Sequence, residues 1–212
     1  MNPTHVNPRE DFFCERVVEI SGEVALIATS SDSFNTATIC MMRVVLGHGA
    51  SGNAASMKPY VVAFKRRGID AVAVDLPRGV AEKAVPVFIK TSGRGHDVIG
   101  GGQSFGGRVA SMAAVEADFG GLVLISYPLH RPGFPDQLRI AHWHLIRCPT
   151  LFLSGDRDPF ANIDLLKEKI KLIPNARLVT LKGAGHMLPY EVPDVLVSLI
   201  EEMSPNPDAS TA

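Results

Sequence analysis

The sequence contains little cysteine. Its 212 residues include three cysteines, Cys14, Cys40 and Cys148, which are far apart and form no C-x-x-C pair. Because their number is odd and their spacing irregular, they indicate neither a disulfide framework nor a zinc knuckle. We therefore expect reduced thiols with mainly structural roles, as in a cytoplasmic protein.

The sequence also lacks an excess of charge of either sign, and it lacks long apolar runs. Its 21 Lys and Arg against 22 Asp and Glu give a formal net charge of -1. Nucleic-acid-binding proteins usually carry a basic excess, so this class of partner is disfavoured, and nothing favours an anionic membrane surface. The first residues, MNPTHVNPREDFF, are polar, and no window approaches the roughly 18 apolar residues of a membrane span. We expect neither a secretory signal nor a membrane segment.

The composition that is present suits a buried core. Hydrophobic residues make up 46% and charged residues 20%, together with 19 glycines and 15 prolines. These proportions are typical of a well-packed globular chain and not of a disordered one. At roughly 100–200 residues per domain, the length allows one large domain or two small ones. The strand and helix pattern given below is accounted for by one domain over residues 1–212. We expect a core over about residues 16–203, with poorly ordered ends at residues 1–14 and 204–212.

Short apolar runs alternate with longer amphipathic segments along the chain. The runs that predict strands are Arg16–Ile20, Glu23–Thr29, Met41–Leu46, Ile69–Val74, Val98–Gly101, Leu122–Tyr127, Thr150–Leu153 and Arg177–Leu181. The segments that predict helices are Ser56–Arg67, Val80–Lys90 with an interruption near Pro86, Phe105–Ala117, Asn162–Leu172 and Val192–Met203. We expect the first two strands to form an antiparallel hairpin. The rest predicts an α/β fold, a doubly wound and mostly parallel sheet with helices on both faces and a ligand site beyond the carboxyl ends of the strands.

A G-x-S-x-G motif, GQSFG, runs from Gly102 to Gly106. It lies between a predicted strand and a predicted helix, which is the context that a nucleophile elbow requires. The motif fits neither a dinucleotide-binding G-x-G-x-x-G nor a phosphate-binding loop. The alternative is a glycine-rich connection in which Ser104 only caps the following helix.

A second glycine-rich loop, GHGASG, follows the predicted strand at Met41–Leu46. In elbow enzymes the loop after this strand donates one backbone N–H to the oxyanion hole, and the residue after the nucleophile donates the other. These positions correspond to the amides of Ala50 and Phe105. His48 in the same loop is a candidate base or substrate contact or, as is more common for such a histidine, a structural residue that holds the loop.

Two carboxylates and one histidine follow the last strands. Asp156 and Asp158 come after the strand at Thr150, and the residues alone leave open which of them orients a histidine. Asp158 precedes Pro159 and could equally be a helix N-cap, whereas Asp156 could be a turn residue. His186 lies in a small-residue loop after the final strand. The order Ser104, Asp158, His186 is the Ser…Asp…His order of α/β-hydrolases.

With these motifs, the chain resembles the α/β-hydrolase superfamily over about residues 16–203. It resembles more closely a subgroup of the testis-expressed protein 30 and nonspecific-lethal-complex subunit 3 type, which has many dienelactone-hydrolase-like members. The residues that carry the resemblance are GGRVAS at Gly106–Ser111, SYPLHRPG at Ser126–Gly133 and SGDRDPF at Ser154–Phe160. The resemblance implies the fold and a catalytic triad more directly than it implies a substrate.

The resemblance also bears on two single residues. The acid of the superfamily normally ends a G-x-x-D, which runs here from Gly155 to Asp158 and therefore favours Asp158 over Asp156. Many relatives carry His or Lys directly before the nucleophile, where this chain has Gln103. That side chain borders the serine without carrying a proton, so we expect Gln103 to be a weak substrate contact.

The predicted function is that of a serine hydrolase acting on a small or exposed carboxylic ester or thioester through an acyl-enzyme. No cofactor and no metal is expected, because the pair His142 and His144 has no carboxylate or cysteine at ligand spacing. The alternatives are a non-catalytic binding or scaffold protein of the same fold, and an acyltransferase or perhydrolase that uses the same triad.

The size of the substrate is suggested by the segment after Tyr127. About 20 residues separate this strand from the next, which is too few for a separate lid domain, and the segment contains several prolines. We expect a stiff surface loop and an open site. His130, Arg131 and Trp143 either line this site or make ordinary loop contacts.

Overall fold

The computed structural model describes residues 15–18, 42–189 and 192–203. Its strands are β1 (Glu15–Val18), β2 (Arg43–Gly47), β3 (Asp70–Val74), β4 (Val98–Gln103), β5 (Gly121–Ile125), β6 (Thr150–Gly155) and β7 (Ala176–Leu181). Its α-helices are α1 (Lys58–Arg66), α2 (Ala81–Ser92), α3 (Phe105–Ala117), α4 (Ile163–Lys169) and α5 (Val192–Met203). The predicted strand at Glu23–Thr29, the two expected poorly ordered ends, Cys14 and Cys40 lie outside the described residues.

The seven strands among the described residues form one sheet in the order β1-β7-β6-β5-β4-β2-β3. Every described strand pair is parallel, including β1 against β7. Parallel strands need crossover connections. The helices α1, α2, α3 and α4 each lie in one such connection, whereas residues 126–149 connect β5 to β6 without an α-helix. The carboxyl ends of β2, β4, β5, β6 and β7 therefore meet along one edge of the sheet, where the glycine-rich loops emerge.

A separate apolar core covers each face of the sheet. On one face, α2 and α3 contribute fully buried side chains such as Phe88 and Val109. On the other face, α1 and α5 contribute Phe64 and Leu196. A parallel sheet that is covered on both sides has apolar residues on both faces of its strands, which explains the unbroken apolar runs of the sequence. The predicted α/β class, with a mostly parallel sheet and helices on both faces, is confirmed.

Pro86 does not interrupt α2, which corrects the expectation from sequence. The helix continues through it from Ala81 to Ser92. Proline removes one backbone hydrogen bond inside a helix. Here Ala81, Ala84 and Phe88 are completely buried against the core, and tertiary packing of this kind routinely outweighs a local propensity.

Two further features bear on function. In the described ranges no helix is long and apolar enough to cross a bilayer. Cys148 carries a free thiol that is buried, and burial raises its pKa to about 11. Since the thiolate is the reactive form of cysteine, this protonated thiol is a poor nucleophile at neutral pH.

Candidate active site

Ser104 occupies a strained backbone position between β4 and α3. Its φ is 51° and its ψ is -112°, a combination that non-glycine residues rarely adopt and that tends to occur at functional sites. The Ser104 N–H donates a hydrogen bond of 2.8 Å to the carbonyl of Ile125 at the end of β5. The turn is thus fixed to the neighbouring strand, and its side chain lies at the N-terminus of α3.

Glycines allow this turn to pack directly on the end of β2. A Cβ atom placed on Gly106 would lie 2.1 Å from the carbonyl oxygen of Gly47, and one placed on Gly102 would lie 2.3 Å from the same oxygen. Gly102 also has a φ of +154°, which side chains disfavour. Any side chain here would push β2 away from the turn that carries Ser104.

His186 lies between Ser104 and Asp158. Its Nε2 is 2.8 Å from the Ser104 Oγ, and its Nδ1 is 2.8 Å from the Asp158 Oδ2. The Asp158 side chain is completely buried, whereas the His186 side chain is 19% exposed. Because an ionised carboxylate can only accept, the proton of the neutral ring lies on Nδ1, and Nε2 is left to accept from the serine hydroxyl. The arrangement can draw a proton from Ser104.

The two candidate acids do different things. Asp156 accepts a hydrogen bond of 2.7 Å from the backbone N–H of Gly183, at the start of the loop that carries His186. Asp158 Oδ1 accepts from the N–H of Phe160 at 2.8 Å. The N-cap of α4 is Asn162, whose Oδ1 accepts from the N–H of Leu165. Asp158 is therefore not the helix cap that its neighbour Pro159 suggested.

The loop after β2 passes beside Ser104. A Cβ atom placed on Gly49 would lie 4.0 Å from the Ser104 Cβ, and a turn closed by the Gly52 N–H on the Gly49 carbonyl holds Ala50 exposed next to it. Phe105 is the first residue of α3, and the first four N–H groups of a helix have no partner within it. Both predicted oxyanion donors thus belong to backbone at the edge of the Ser104 turn.

His48 holds this loop by both ring nitrogens. Its Nε2 accepts from the N–H of Leu76 at 2.9 Å, which puts the ring proton on Nδ1, 2.7 Å from the Gly49 carbonyl. The residue is 3% exposed. Of the two sequence alternatives, the geometry corresponds to the structural one, and the expectation of a substrate contact is corrected because neither nitrogen is free.

Two further expected substrate contacts are also corrected. Trp143 is completely buried and lies edge-on against Tyr127 and Phe152, with ring centroids 5.1 and 5.2 Å away. His130 is 5% exposed, and its Nε2 accepts from the backbone N–H of Asn162 at 3.0 Å. Both side chains are therefore buried. They hold the irregular segment after β5 against the rest of the protein.

Gln103 borders the site together with Met187, which the sequence did not single out. The Gln103 Nε2 lies 3.7 Å from the sulfur of Met187, which follows His186 and is 75% exposed. Phe160 was likewise missed, although its ring lies 4.4 Å from the His186 ring at an angle of 39°. The signal for Phe160 was an aromatic residue directly after the Asp158-Pro159 pair.

The two histidines of the pair His142 and His144 have different surroundings. His142 Nε2 lies 2.8 Å from the Ser111 Oγ, and burial, followed by the charge of Arg108, lowers the His142 pKa to about 4. His144 is exposed. Within the part of the chain that the structure describes, no three His, Cys, Asp or Glu residues are placed to hold a metal ion.

Residues 80–193 match a family model described as an alpha/beta hydrolase domain. The chain belongs to this alpha/beta hydrolase family. The match covers more than half of the chain and includes Ser104, Asp158 and His186. The resemblance to this superfamily is therefore confirmed, while the finer subgroup rests on the residue blocks alone.

The alpha/beta hydrolase is similar to several curated proteins over shorter stretches. It is 31% identical over 74 residues, 35% of this chain and 34% of the relative, to ABHD14B of Pongo abelii, named as a proposed protein-lysine deacylase. It is 30% identical over 70 residues, 32% of this chain and 24% of the relative, to a proposed esterase/lipase of Haemophilus influenzae. The chain thus spans about a third or less of the length of these relatives.

The fold is also similar to solved structures. The monoacylglycerol lipase of Paleococcus ferrophilus superposes with a TM-score of 0.64 at 18% identity, over 76% of this chain and 95% of the lipase. At this identity the likeness concerns the fold alone.

Proposed function

We propose that this alpha/beta hydrolase is a serine hydrolase that cleaves a small or exposed carboxylic ester or thioester. The observation that supports this most directly is the unbroken hydrogen-bonded series from the Ser104 Oγ through His186 to Asp158, with both distances at 2.8 Å. A nucleophile, a base and a group that orients the base are the three parts that covalent acyl transfer requires.

In the first half of the proposed reaction, the Ser104 oxygen attacks the acyl carbonyl while His186 Nε2 takes the hydroxyl proton. Asp158 keeps the ring proton on Nδ1 and stabilises the imidazolium that forms. The amides of Ala50 and Phe105 bind the negative oxygen of the tetrahedral intermediate, and one such donor is typically worth about 2.7–4 kcal/mol. His186 then returns the proton to the leaving alcohol or thiol.

In the second half, water replaces the leaving group. His186 removes a proton from this water, which attacks the acyl-serine ester, and Ser104 leaves as the hydroxyl with that proton. The reaction consumes one water and needs no cofactor. The names of the relatives, a deacylase and an esterase/lipase, both describe removal of an acyl group, which supports this reaction class for the present chain.

The segment between β5 and β6 supports the size of the proposed substrate. Residues 126–149 contain only one short 3-10 turn, Trp143–Leu145. We take the chain to be one domain without a separate lid, so that the acyl group reaches Ser104 from an open edge of the sheet. Short acyl chains and acyl groups displayed on larger molecules fit this arrangement.

The test is active-site labelling combined with an acyl-length series. The wild-type protein and Ser104→Ala are treated with a fluorophosphonate probe and assayed with p-nitrophenyl esters and acyl thioesters of increasing length. Ser198→Ala, in α5, is the matched control. We expect labelling and turnover in wild type and the control, and neither in Ser104→Ala. A folded wild type that is neither labelled nor active would contradict the proposal and favour a binding protein of the same fold.

A further inference from the structure

Phe160 contacts both partners of the acid–base pair. Its backbone N–H donates to the Asp158 Oδ1 at 2.8 Å, and its ring lies 4.4 Å from the ring of His186. Its carbonyl in turn accepts from the backbone N–H of His130 at 3.0 Å. Phe160 takes no part in proton transfer, but its N–H restrains the rotation of the Asp158 carboxylate and its ring packs against the His186 imidazole.

His130 holds the same short loop at a second point. Its ring Nε2 accepts from the N–H of Asn162 at 3.0 Å. An amide N–H can only donate, so the ring proton lies on Nδ1, which donates to the Arg131 carbonyl at 2.9 Å. His130 is thus a neutral acceptor, buried, and bonded at two points to the residues that directly follow Asp158.

The segment that carries His130 is itself well anchored. We call residues 126–149 the strap. The Tyr127 hydroxyl donates to the Arg139 carbonyl at 2.6 Å, and burial raises the Tyr127 pKa to about 12, so this donor keeps its proton. The Arg139 N–H donates to the Leu129 carbonyl at 2.9 Å. The part of the strap that carries His130 is therefore held by hydrogen bonds between its own residues, and it packs on the core.

We propose that His130 and Phe160 are positioning residues through which the strap holds Asp158 and His186 in line with Ser104. This inference rests on the proposed function and assigns to the strap a part in catalysis that needs no contact with substrate. The loop from Asp158 to Asn162 is fixed at both ends, by His186 on one side and by His130 on the other. Displacements of about 1 Å in such a set can cost about 100-fold in rate.

The contact between His130 and Asn162 can be tested by choosing which ring nitrogen is imitated. In His130→Gln the side-chain oxygen reaches about the position of Nε2 and can accept from the Asn162 N–H. In His130→Asn the shorter amide imitates Nδ1 and does not reach that N–H. The exposed His144, on the same strap, supplies the control variant His144→Asn. Thermal unfolding of each variant shows which of them are folded.

We expect kcat of His130→Asn to fall by about 10- to 100-fold with KM changed by less than about threefold, because the acid–base pair and not substrate binding is disturbed. His130→Gln should recover most of this loss, and His144→Asn should equal wild type. Equal kcat for folded Asn and wild-type proteins, or a folded Gln variant as slow as Asn, would overturn the proposal.

A second readout does not depend on turnover. The proton on Nδ1 of His186, shared with Asp158, should give a separate downfield signal in the proton NMR spectrum. We expect the signal in wild type and His130→Gln, and its broadening or loss in His130→Asn. If the wild type shows no esterase activity, the proposed function fails while this signal still decides the positioning role.

Phe160→Leu keeps the backbone bonds to Asp158 and His130 while it removes the aromatic ring next to His186. It serves as a second variant if His130→Asn does not fold. A fall of about 3- to 10-fold in kcat, without a change in the unfolding temperature of more than a few degrees, is expected. An unchanged kcat together with an unchanged Nδ1 signal would remove the ring of Phe160 from the proposal.

Discussion

The carboxylate of Asp156 accepts a hydrogen bond of 2.7 Å from the backbone N–H of Gly183, three residues before His186. The neighbouring Arg157 N–H donates to the Ala184 carbonyl at 2.9 Å. Through Asp156, the turn after β6 therefore supports the backbone of the loop that carries His186. Through Asp158, the same turn orients the His186 side chain. Two carboxylates two residues apart have separate tasks, and these tasks lead to separate predictions.

Asp158→Asn should abolish most of the activity. The amide can present an N–H to His186, which favours the wrong ring tautomer, and losses of about 10,000-fold in kcat follow from that change in other hydrolases. The measurement is kcat for a short-chain ester. A loss of less than about tenfold would mean that Asp158 does not orient His186 during turnover.

Asp156→Asn should behave nearly as wild type, because its side-chain oxygen can still accept from the Gly183 N–H. Asp156→Ala removes this acceptor, and we expect kcat to fall by several-fold as the histidine loop loosens. The comparison of the two variants in one ester assay is the measurement. If Asp156→Asn were inactive while Asp158→Asn kept its activity, the assignment of the two acids would be reversed.

His48→Ala should weaken both the fold and catalysis. The substitution leaves the buried N–H of Leu76 without its acceptor, at a cost of about 1–3 kcal/mol in the free energy of unfolding. It also frees the loop that carries Ala50, so kcat should fall while KM changes little. Urea unfolding and steady-state kinetics measure the two effects. A large rise in KM alone would instead indicate that His48 contacts the substrate.

Gly106→Ala should be among the most damaging small substitutions in the chain. Its methyl group would meet the Gly47 carbonyl oxygen at 2.1 Å, so β2 and the Ser104 turn must separate. We expect a loss of about 3 kcal/mol in the free energy of unfolding. Gly185→Ala is the control, since a Cβ atom there meets nothing within 4 Å. Equal stability of the two variants would show that the turn relaxes more easily than the close contact suggests.

His142 should make the fold sensitive to acid. Burial lowers its pKa from 6.5 to about 4, with Arg108 and His144 acting in the same direction and Glu82 against them. Between about pH 6.5 and pH 4, His142 is therefore protonated in the unfolded chain but neutral in the folded chain. The free energy of unfolding falls as the pH is lowered through this range. In His142→Gln this slope should be smaller. Urea unfolding at several pH values measures it, and parallel slopes for the two proteins would contradict the prediction.

Local patterns predicted much of the fold and brought out the main residues of the candidate site. The bounds of α3 and α5 follow from their own sequence, and the positions of Ser104, Asp158 and His186 follow from the rule that sites lie after the strands of a parallel sheet. The roles of His130 and Trp143 could not be predicted in this way. His130 bonds to a residue 32 positions away, and such pairings depend on how the strap packs, which no local pattern encodes.

The wide separation of the site residues along the chain has a consequence for the order of events during synthesis. Ser104 precedes His186 by 82 residues, and His186 follows β7, which pairs with β6. A chain is synthesised from its N-terminal end, and domains generally fold as units. The serine is therefore synthesised well before its histidine exists, so a nascent or truncated chain that ends before β7 carries a nucleophile without a base. The reactive arrangement forms only when the last strand has joined the sheet.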